Sequence, residues 1–516
     1  MTPDTLEIAP DACYLALKAR DARFDGCFFT GVTSTGIYCR PVCAVRTPRR
    51  ENCRFFGHAT QAERAGFRPC LRCRPELAPH SQAWSVQDSS ATLAHQAAQL
   101  LDSWLGEPQA WGDEVPSVAR LAARLGVSDR HLRRLFEAHF GVAPLAYLQT
   151  RRLLTAKHLL TDTALPVAQI AHLAGFASLR RFNAAFAAHY GLAPTRLRRD
   201  SGGGANQTDT ASPGGIRLRL AWRLPYDLAA LLGFFHARRI AGMEAVSDGA
   251  EAPRYARTLS VEHAGRAHTG WLELGFDPAR CQAVLSVSEG LHDALPLLIH
   301  RARAAFDLDA DPKAINAVLA PAFPGLDGLR VPGAWDGFEL AVRAVLGQQI
   351  TVAAARTLAQ RLLERFGEPL ATPLPGLTRL FPSAAALAQA QPSDLGELGI
   401  VRQRQAAIQA LAAAVRDKRL ALHAGAPVHA TVEALKALPG IGDWTAQYIA
   451  MRALRWPDAF PAGDVALHKA LGVQGSRHAA REAEALSQAW RPWRSYATQY
   501  LWATLPHPIN QLPEAT

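Results

Sequence analysis

No run of apolar residues in the 516-residue chain approaches the roughly 20 needed to span a bilayer, so no transmembrane helix is expected. The first ten residues, MTPDTLEIAP, contain Asp4 and Glu7 but no basic residue and no apolar core, and so lack the makings of a secretory leader. A cytoplasmic, reducing location with no membrane partner is the expectation. Disulfides are rare in such a compartment, so the eight cysteines read as metal ligands or nucleophiles rather than as four bridges. Nor is the chain poor in core formers or crowded with charge: 49% apolar and 20% charged residues are the proportions of a globular protein. Its length exceeds what one hydrophobic core supports, and three or four domains are expected.

The formal net charge of +11 is unevenly spread, because residues 1–200 hold 25 Lys and Arg against 17 Asp and Glu, an excess of +8. Such a field suits a polyanionic partner, since each neutralised phosphate releases counterions and adds sequence-independent affinity. Charge alone does not separate nucleic acid from another acidic surface. After Asp200 the stretch SGGGANQTDTASPGG has no apolar periodicity and reads as a flexible linker. A weaker break, SQAWSVQDSS, places a boundary near residue 85, with helical patterning from Ala91 onward. From Ile216 to about Pro321, alternating runs such as IRLRLAW and AVLSVS mix with helical stretches, an α+β pattern. From about Val331 to Leu505 helical periodicity dominates, punctuated by Pro/Gly turns.

Residues 90–200 contain an internal repeat: LAARLGVSDRHLRRLFEAHFGVAP, from Leu121, recurs with one extra residue as IAHLAGFASLRRFNAAFAAHYGLAP, from Ile170. Each copy has a small-residue helix, a turn at Gly126 or Gly175, and a second helix ending at Phe140-Gly141 or Tyr190-Gly191. That is the helix-turn-helix plan, in which the second helix enters the major groove. Taken singly, either copy also fits an ordinary helical hairpin. Two copies joined by a predicted linking helix on a basic segment resemble the AraC-type DNA-binding domain. The resemblance implies double-stranded promoter DNA as a partner, with Arg133, Arg134, Arg180 and Arg181 among the contacts, and RNA polymerase as the partner of an activator.

Cys39-xxx-Cys43 and Cys70-xx-Cys73 are two short-spaced pairs that can converge on one tetrahedral site, and zinc fits four soft anionic ligands. By spacing alone the set also fits a purely structural zinc module. Cys13, Cys27, Cys53 and Cys281 lack pairing and are expected to be buried thiols. The stretches STGIYCRPVC and AGFRPCLRC resemble the N-terminal domain of Ada proteins. That resemblance implies that Cys39 takes a methyl group from a methylphosphotriester of the DNA backbone, with Thr35 and Arg68 against the phosphate. Zinc would then be structural and also keep the nucleophile deprotonated, since a thiolate attacks where a thiol does not. Four thiolates on one zinc carry a formal charge of −2, and methylating Cys39 removes one unit of it. Repulsion from the DNA backbone falls, so repair itself can raise DNA affinity and switch on transcription. Ada proteins of the full-length type end in a second acceptor with a PCHR motif. No cysteine here lies in one, so repair of O6-methylguanine is not expected.

LPGIG, from Leu438 to Gly442, lies between two helical stretches, and its glycines allow a tight hairpin whose N–H groups can face a phosphate. Asp464 opens the next predicted helix, in FPAGDVALHKAL, 22 residues beyond Gly442. Alone, the first is a helix-helix turn and the second an N-cap. Together they resemble the helix-hairpin-helix glycosylases, and from about Ile216 the chain resembles AlkA, 3-methyladenine DNA glycosylase II, through LPYDLAALLGFFHARRIAGME, AVRAVLGQQITVAAA and WRPWRSYATQYLWAT. The resemblance makes Asp464 the catalytic carboxylate, and Trp444, Tyr448, Trp502, Phe234 and Gln348 the pocket for a flipped base. Gly440 and Gly442 of the hairpin, with a monovalent cation there, and Gln349 would meet DNA. Gln349 stands where AlkA has an apolar wedge. Trp444 stands where lyase-type members carry a Schiff-base lysine, so a monofunctional glycosylase that leaves an abasic site is expected.

The expected fold is multidomain α+β: a small zinc-bound α+β domain over 1–85, an all-α double helix-turn-helix over 86–200, a linker over 201–215, an α+β domain over 216–325 and an all-α helix-hairpin-helix domain over 326–516. The expected function is bacterial, nucleoid-associated repair of alkylated DNA coupled to transcription activation. The alternative is a zinc-stabilised regulator with a non-catalytic glycosylase-like half.

Overall fold

The computed structural model describes residues 8–80, 89–106, 116–200, 215–247 and 253–505. The expected boundary near 85 and most of the expected linker lie outside the described residues, although Gly215 is already the first residue of a strand. Among the described residues no helix is long and apolar enough to cross a membrane.

Near the N-terminus β1 (Phe29–Val32), β2 (Ile37–Cys39), β3 (Cys53–Phe56) and β4 (Arg68–Pro69) form a sheet of order β3-β1-β2-β4. Its small core is Phe29, Tyr38, Ala62, Phe67 and Ala78. The β2–β4 pairing is parallel and sets Tyr38 against Pro69, so the chain leaves the sheet side by side at Cys39 and Cys70. Cys13 and Cys53 are buried as expected, but Cys27 and Cys281 are only half-buried. Both sit in turns, Cys281 with a left-handed φ of 51°, and turns run along the surface.

The repeat folds the same way twice. Val118–Arg124 and Asp129–Phe140 form one helix-turn-helix, Val167–Leu173 and Leu179–Tyr190 the other, and the 19-residue helix Pro144–Asp162 links them. Ser128 and Ser178 cap the two second helices by accepting from His131 N and Arg181 N, each at 3.3 Å. Gly126 and Gly175 turn the chain at φ 69° and 79°, values at which a side chain would be strained.

The α+β domain is an antiparallel sheet of order β5-β9-β8-β7-β6, from β5 (Gly215–Ala221), β6 (Glu244–Ser247), β7 (Arg254–His263), β8 (Arg266–Asp277) and β9 (Gln282–Ser288). β5 pairs with β9 from Gly215↔Ser288 to Ala221↔Gln282, which makes the two alternating runs neighbours. Leu153, Ile170, Phe182 and Phe186 share one buried cluster with Leu218, Leu272, Leu285 and Leu298. The second helix-turn-helix and this sheet therefore have a common core. Each such side chain, fully buried, contributes about 1.5–3 kcal/mol, so the two halves are packed together rather than tethered. Beyond Gly337 the described segments are helical, and their core also takes in Ile240, Met243 and Ile315.

Buried charge joins the N-terminal domain to its neighbours. Arg223, fully buried, donates to the carbonyls of Asp25, Pro79, His80, Asp309 and Ala310 at 2.7–3.0 Å. Glu76 pairs with Arg74 at 2.9 Å and with Lys157 of the linking helix.

Candidate metal centre and base pocket

The sulfurs of Cys39, Cys43, Cys70 and Cys73 all lie within 4.8 Å of one another. Four sulfurs about 2.3 Å from a common zinc would stand about 3.8 Å apart, so the donor set fits that ion. Hydrogen bonding among the sulfurs holds Cys43 and Cys70 below the ordinary thiol range and pushes Cys39 and Cys73 above it. Four groups this close cannot all ionise unless a cation offsets their repulsion. The backbone shapes the site: Cys70 N donates to Tyr38 O at 2.9 Å and Arg40 N to Cys73 Sγ at 3.3 Å. The buried Arg40 guanidinium pairs with Asp25 and donates to Cys73 O at 3.0 Å, closing the site from behind.

Next to Cys39, Tyr38 donates to Glu63 Oε1 at 2.9 Å. The other oxygen, Glu63 Oε2, accepts from Thr150 Oγ1 at 2.7 Å and meets His189 Nε2 at 2.9 Å. One buried carboxylate thus connects the cysteine site to the linking helix and to the second recognition helix. Arg68 donates to Tyr190 O at 3.3 Å, at the end of that helix, and Arg64 donates to Gly141 O at the end of the first. Thr35 is exposed in the β1–β2 turn, its hydroxyl bonded to Val32 O at 3.3 Å. Arg133, Arg134, Arg180 and Arg181 are exposed on the two second helices, where cations can meet phosphates or base edges.

The helices Val428–Lys436 and Asp443–Arg452 flank the LPGIG hairpin. Gly440 has φ 74°, and a Cβ there would come within 3.1 Å of Ala407 Cβ, whereas Gly442 has φ −90° and nothing within 4 Å of the same position. Gln348 Nε2 donates to Gly440 O and to Thr445 Oγ1, both at 2.9 Å, so this side chain braces the hairpin. Gln349 is exposed at φ 53°, a left-handed conformation uncommon outside glycine.

Asp464 caps the helix Val465–Ala470, its Oδ1 accepting from Leu467 N at 2.9 Å. Trp444 Nε1 donates to Oδ2 at 2.8 Å and Trp502 Nε1 to Oδ1 at 3.3 Å, so two indoles from separate helices hold one carboxylate. Trp444 and Tyr448 are stacked with centroids 5.4 Å apart and planes 13° apart, and Trp502 lies 6.3 Å from Tyr448. Phe234, on the helix Leu228–Arg238, is reached through two cations absent from the sequence reading: Arg238 at 3.7 Å and Arg452 at 4.7 Å from its ring centroid. Spacing puts each on a helix face shared with an aromatic residue without saying that the arginine packs there. Trp444, Tyr448 and Arg452 recur every four residues on one helix face, and Phe234 and Arg238 do so on another.

Residues 12–76 match the metal binding domain of Ada, 121–200 a helix-turn-helix domain, 217–336 the AlkA N-terminal domain, and 342–495 the HhH-GPD superfamily base excision DNA repair protein. A probable bifunctional transcriptional activator/DNA repair enzyme AlkA of Mycobacterium tuberculosis is 40% identical over 513 residues, 98% of each chain. DNA-3-methyladenine glycosylase 2 of Escherichia coli is 34% identical over 285 residues, 55% of this chain and 96% of that one. The bifunctional transcriptional activator/DNA repair enzyme Ada of Escherichia coli is 36% identical over 146 residues, 28% of this chain and 37% of that one. Matched at such identity over nearly its whole length, the chain belongs to the family of bifunctional transcriptional activator/DNA repair enzymes that join an Ada-type metal-binding and helix-turn-helix half to an AlkA-type glycosylase half.

Proposed function

We propose that the protein repairs alkylated DNA by two chemistries, base excision and methyl transfer, and that the second makes it a transcription activator. In the C-terminal half the substrate is an alkylated purine, 3-methyladenine or 7-methylguanine, flipped out of duplex DNA. Such a base is positively charged and leaves readily. The residues therefore act mainly on the sugar, whose oxocarbenium-like charge the Asp464 carboxylate faces and stabilises while water attacks. The C–N bond breaks with its electrons going to the base, water adds to the sugar carbon and gives up a proton to solvent, and an abasic strand remains. Trp444, Tyr448, Trp502 and Phe234 would receive the base, with aromatic faces favouring a cation. The observation that carries this reading is the Asp464 carboxylate held by the Trp444 and Trp502 indoles beside a stacked aromatic wall.

In the N-terminal half Cys39, Cys43, Cys70 and Cys73 would hold zinc, whose charge keeps the sulfurs deprotonated. Cys39 sulfur attacks the methyl carbon of a methylphosphotriester. The carbon–oxygen bond breaks and the phosphodiester leaves with its electron pair, which yields methylated Cys39 and restored backbone. Thr35 and Arg68 would lie against that phosphate. The same reading gives the hairpin a monovalent cation, the activator RNA polymerase as partner, and the cell's nucleoid as workplace. Incubating the full-length protein with methylated duplex DNA tests both halves: chromatography should find released 3-methyladenine and 7-methylguanine, and mass spectrometry a methyl group on Cys39. Absence of released bases overturns the glycosylase reading, and a methyl on another cysteine or on none overturns the acceptor assignment.

A further inference from the structure

One short segment of the metal-binding domain meets the same point of both helix-turn-helix copies. The helix Ala59–Arg64, the residue before it and β4 behind it touch Phe140-Gly141 and Tyr190-Gly191, the equivalent ends of the two recognition helices. At the first end the His58 ring lies 4.7 Å from that of Phe140, and Arg64 donates to Gly141 O. A Cβ on Gly141 would come within 3.2 Å of Gln61 Cγ, so the segment sits directly on this turn. At the second end Arg68 donates to Tyr190 O at 3.3 Å, and Glu63, its side chain 2% exposed, meets His189 Nε2 at 2.9 Å. Between the two ends Glu63 accepts from Thr150 of the linking helix at 2.7 Å. Helix C-termini present carbonyls without intrahelical partners and the negative end of the helix dipole, and two arginines match them. Apolar packing leaves this junction something to decide. Leu132, Phe136 and Phe140 of the first recognition helix lie in one buried cluster, and Phe182, Phe186 and Tyr190 of the second lie in another. The linking helix Pro144–Asp162 enters both clusters, through Leu148 in the first and Leu153 in the second. A single helix between two cores restrains bending and rotation between them only lightly. Residues 58–68 close a second connection, and two connections fix an angle that one does not.

We propose that residues 58–68 clamp the two recognition helices at a fixed spacing and rotation, so that the metal-binding domain determines which separation of DNA half-sites the protein accepts. The clamp rests on the reading above that the protein is an activator whose two second helices meet promoter DNA. Glu63 and Arg64 are positioning residues, acting on DNA only through the helices they hold. Each base pair inserted between two half-sites moves them about 3.4 Å apart and turns one by about 35° relative to the other. A clamped pair of helices cannot follow that shift, and one of the two loses its base contacts. A pair joined by the linking helix alone follows part of it and keeps more of them.

The test starts from a duplex that the full-length protein selects out of a random-sequence pool, with its two half-sites located by footprinting. Affinity is then measured for that duplex and for versions with one base pair inserted or removed between the half-sites. The proteins compared are wild type, Arg64→Met, Glu63→Gln and the double variant; Arg68 is left alone because it is also assigned to the phosphate. Wild type should bind the shifted duplexes on the order of tenfold more weakly than the selected one. In the double variant that penalty should shrink to about threefold or less. Arg64→Lys, which keeps a cation beside Gly141 O, should retain most of the wild-type penalty. Arg64 is exposed, so Arg64→Met leaves the core closed and should lower the penalty by itself, whatever the Glu63 change does to folding. A variant that merely loosened the fold would weaken every duplex alike and leave the penalty at the wild-type value. An unchanged penalty in Arg64→Met and the double variant, or a wild type that tolerates the shifted duplexes, overturns the proposal. If no duplex is enriched over the random pool, the promoter-binding reading is what has failed, and the clamp falls with it.

Discussion

Asp464 is bonded three ways, and that decides what a substitution there does. Oδ1 serves Leu467 N and Trp502 Nε1, while Oδ2 serves Trp444 Nε1. Asn can keep the cap but must turn an N–H toward one indole N–H, losing a hydrogen bond worth about 0.5–1.5 kcal/mol and, with it, the negative charge. Asp464→Asn is expected to lower release of 3-methyladenine by on the order of 10²-fold or more, with duplex affinity nearly unchanged, because binding falls to hairpin amides and basic residues. Wild-type protein should give no borohydride-trapped adduct with DNA, since Trp444 offers no amine. Unchanged release by the Asn variant would remove Asp464 from the mechanism, and a trapped adduct would expose an amine nucleophile. The resemblance to AlkA named Trp444, Tyr448 and Trp502, while the hairpin and the downstream capping carboxylate Asp464 were legible as local patterns. Arg238 and Arg452 were not, because an arginine on a helix is ordinarily read as solvated, and only packing shows that these two lie under aromatic rings. Gln348 was read as a pocket member, and its amide nitrogen also braces the hairpin through Gly440 O and Thr445 Oγ1.

The hairpin glycines look alike in sequence and differ in the fold. At Gly440 a side chain would combine a φ of 74° with a 3.1 Å approach to Ala407 Cβ and 3.2 Å to Gln403 O. Gly440→Ala should therefore cost about 1–2 kcal/mol or more of stability, seen as a lowered thermal midpoint. At Gly442 the backbone is ordinary and the surroundings are open, so Gly442→Ala should melt like wild type. Its new methyl would stand where a phosphate would approach the hairpin amides, and affinity for DNA should fall about equally for every sequence. Equal affinities for wild type and Gly442→Ala would move the phosphate contact elsewhere. The two helix-turn-helix copies were legible for the same reason as the hairpin: a repeated segment and its turn glycines are short-range signals. That the second copy shares a core with the five-stranded sheet was not, because periodicity says which face of Leu179–Tyr190 is buried and not against what.

Across the whole molecule the cysteine site is wired to the DNA-reading half through Glu63, and that contact titrates. Burial lowers the His189 value, but the close contact with the Glu63 carboxylate outweighs it and holds it above the ordinary range. A folded value above the unfolded one means that this stabilisation is complete below about pH 6.5 and disappears as pH rises through the raised value. The melting advantage of wild type over His189→Gln should accordingly be greatest in mild acid and shrink in alkali, and an advantage independent of pH would exclude the ion pair. The same wiring bears on how methylation would act. Methylating Cys39 removes one negative charge from a centre whose neighbouring Tyr38 is hydrogen-bonded to Glu63 and whose β4 arginine, Arg68, lies against the end of the second recognition helix. A unit charge facing a phosphate surface is worth about 1 kcal/mol in water at contact and several times that near a protein surface, and it is screened over a Debye length of about 10 Å at 0.1 M salt. Protein methylated at Cys39 should therefore bind promoter DNA about 10-fold more tightly than unmethylated protein at low salt, with the ratio narrowing as salt is added. Cys39→Ser, which leaves nothing to methylate, should show no gain after exposure to methylated DNA. Equal affinities of the two wild-type forms at every salt concentration would refute the electrostatic switch, and a gain that ignores salt would assign it instead to a rearrangement of the Tyr38–Glu63 contact.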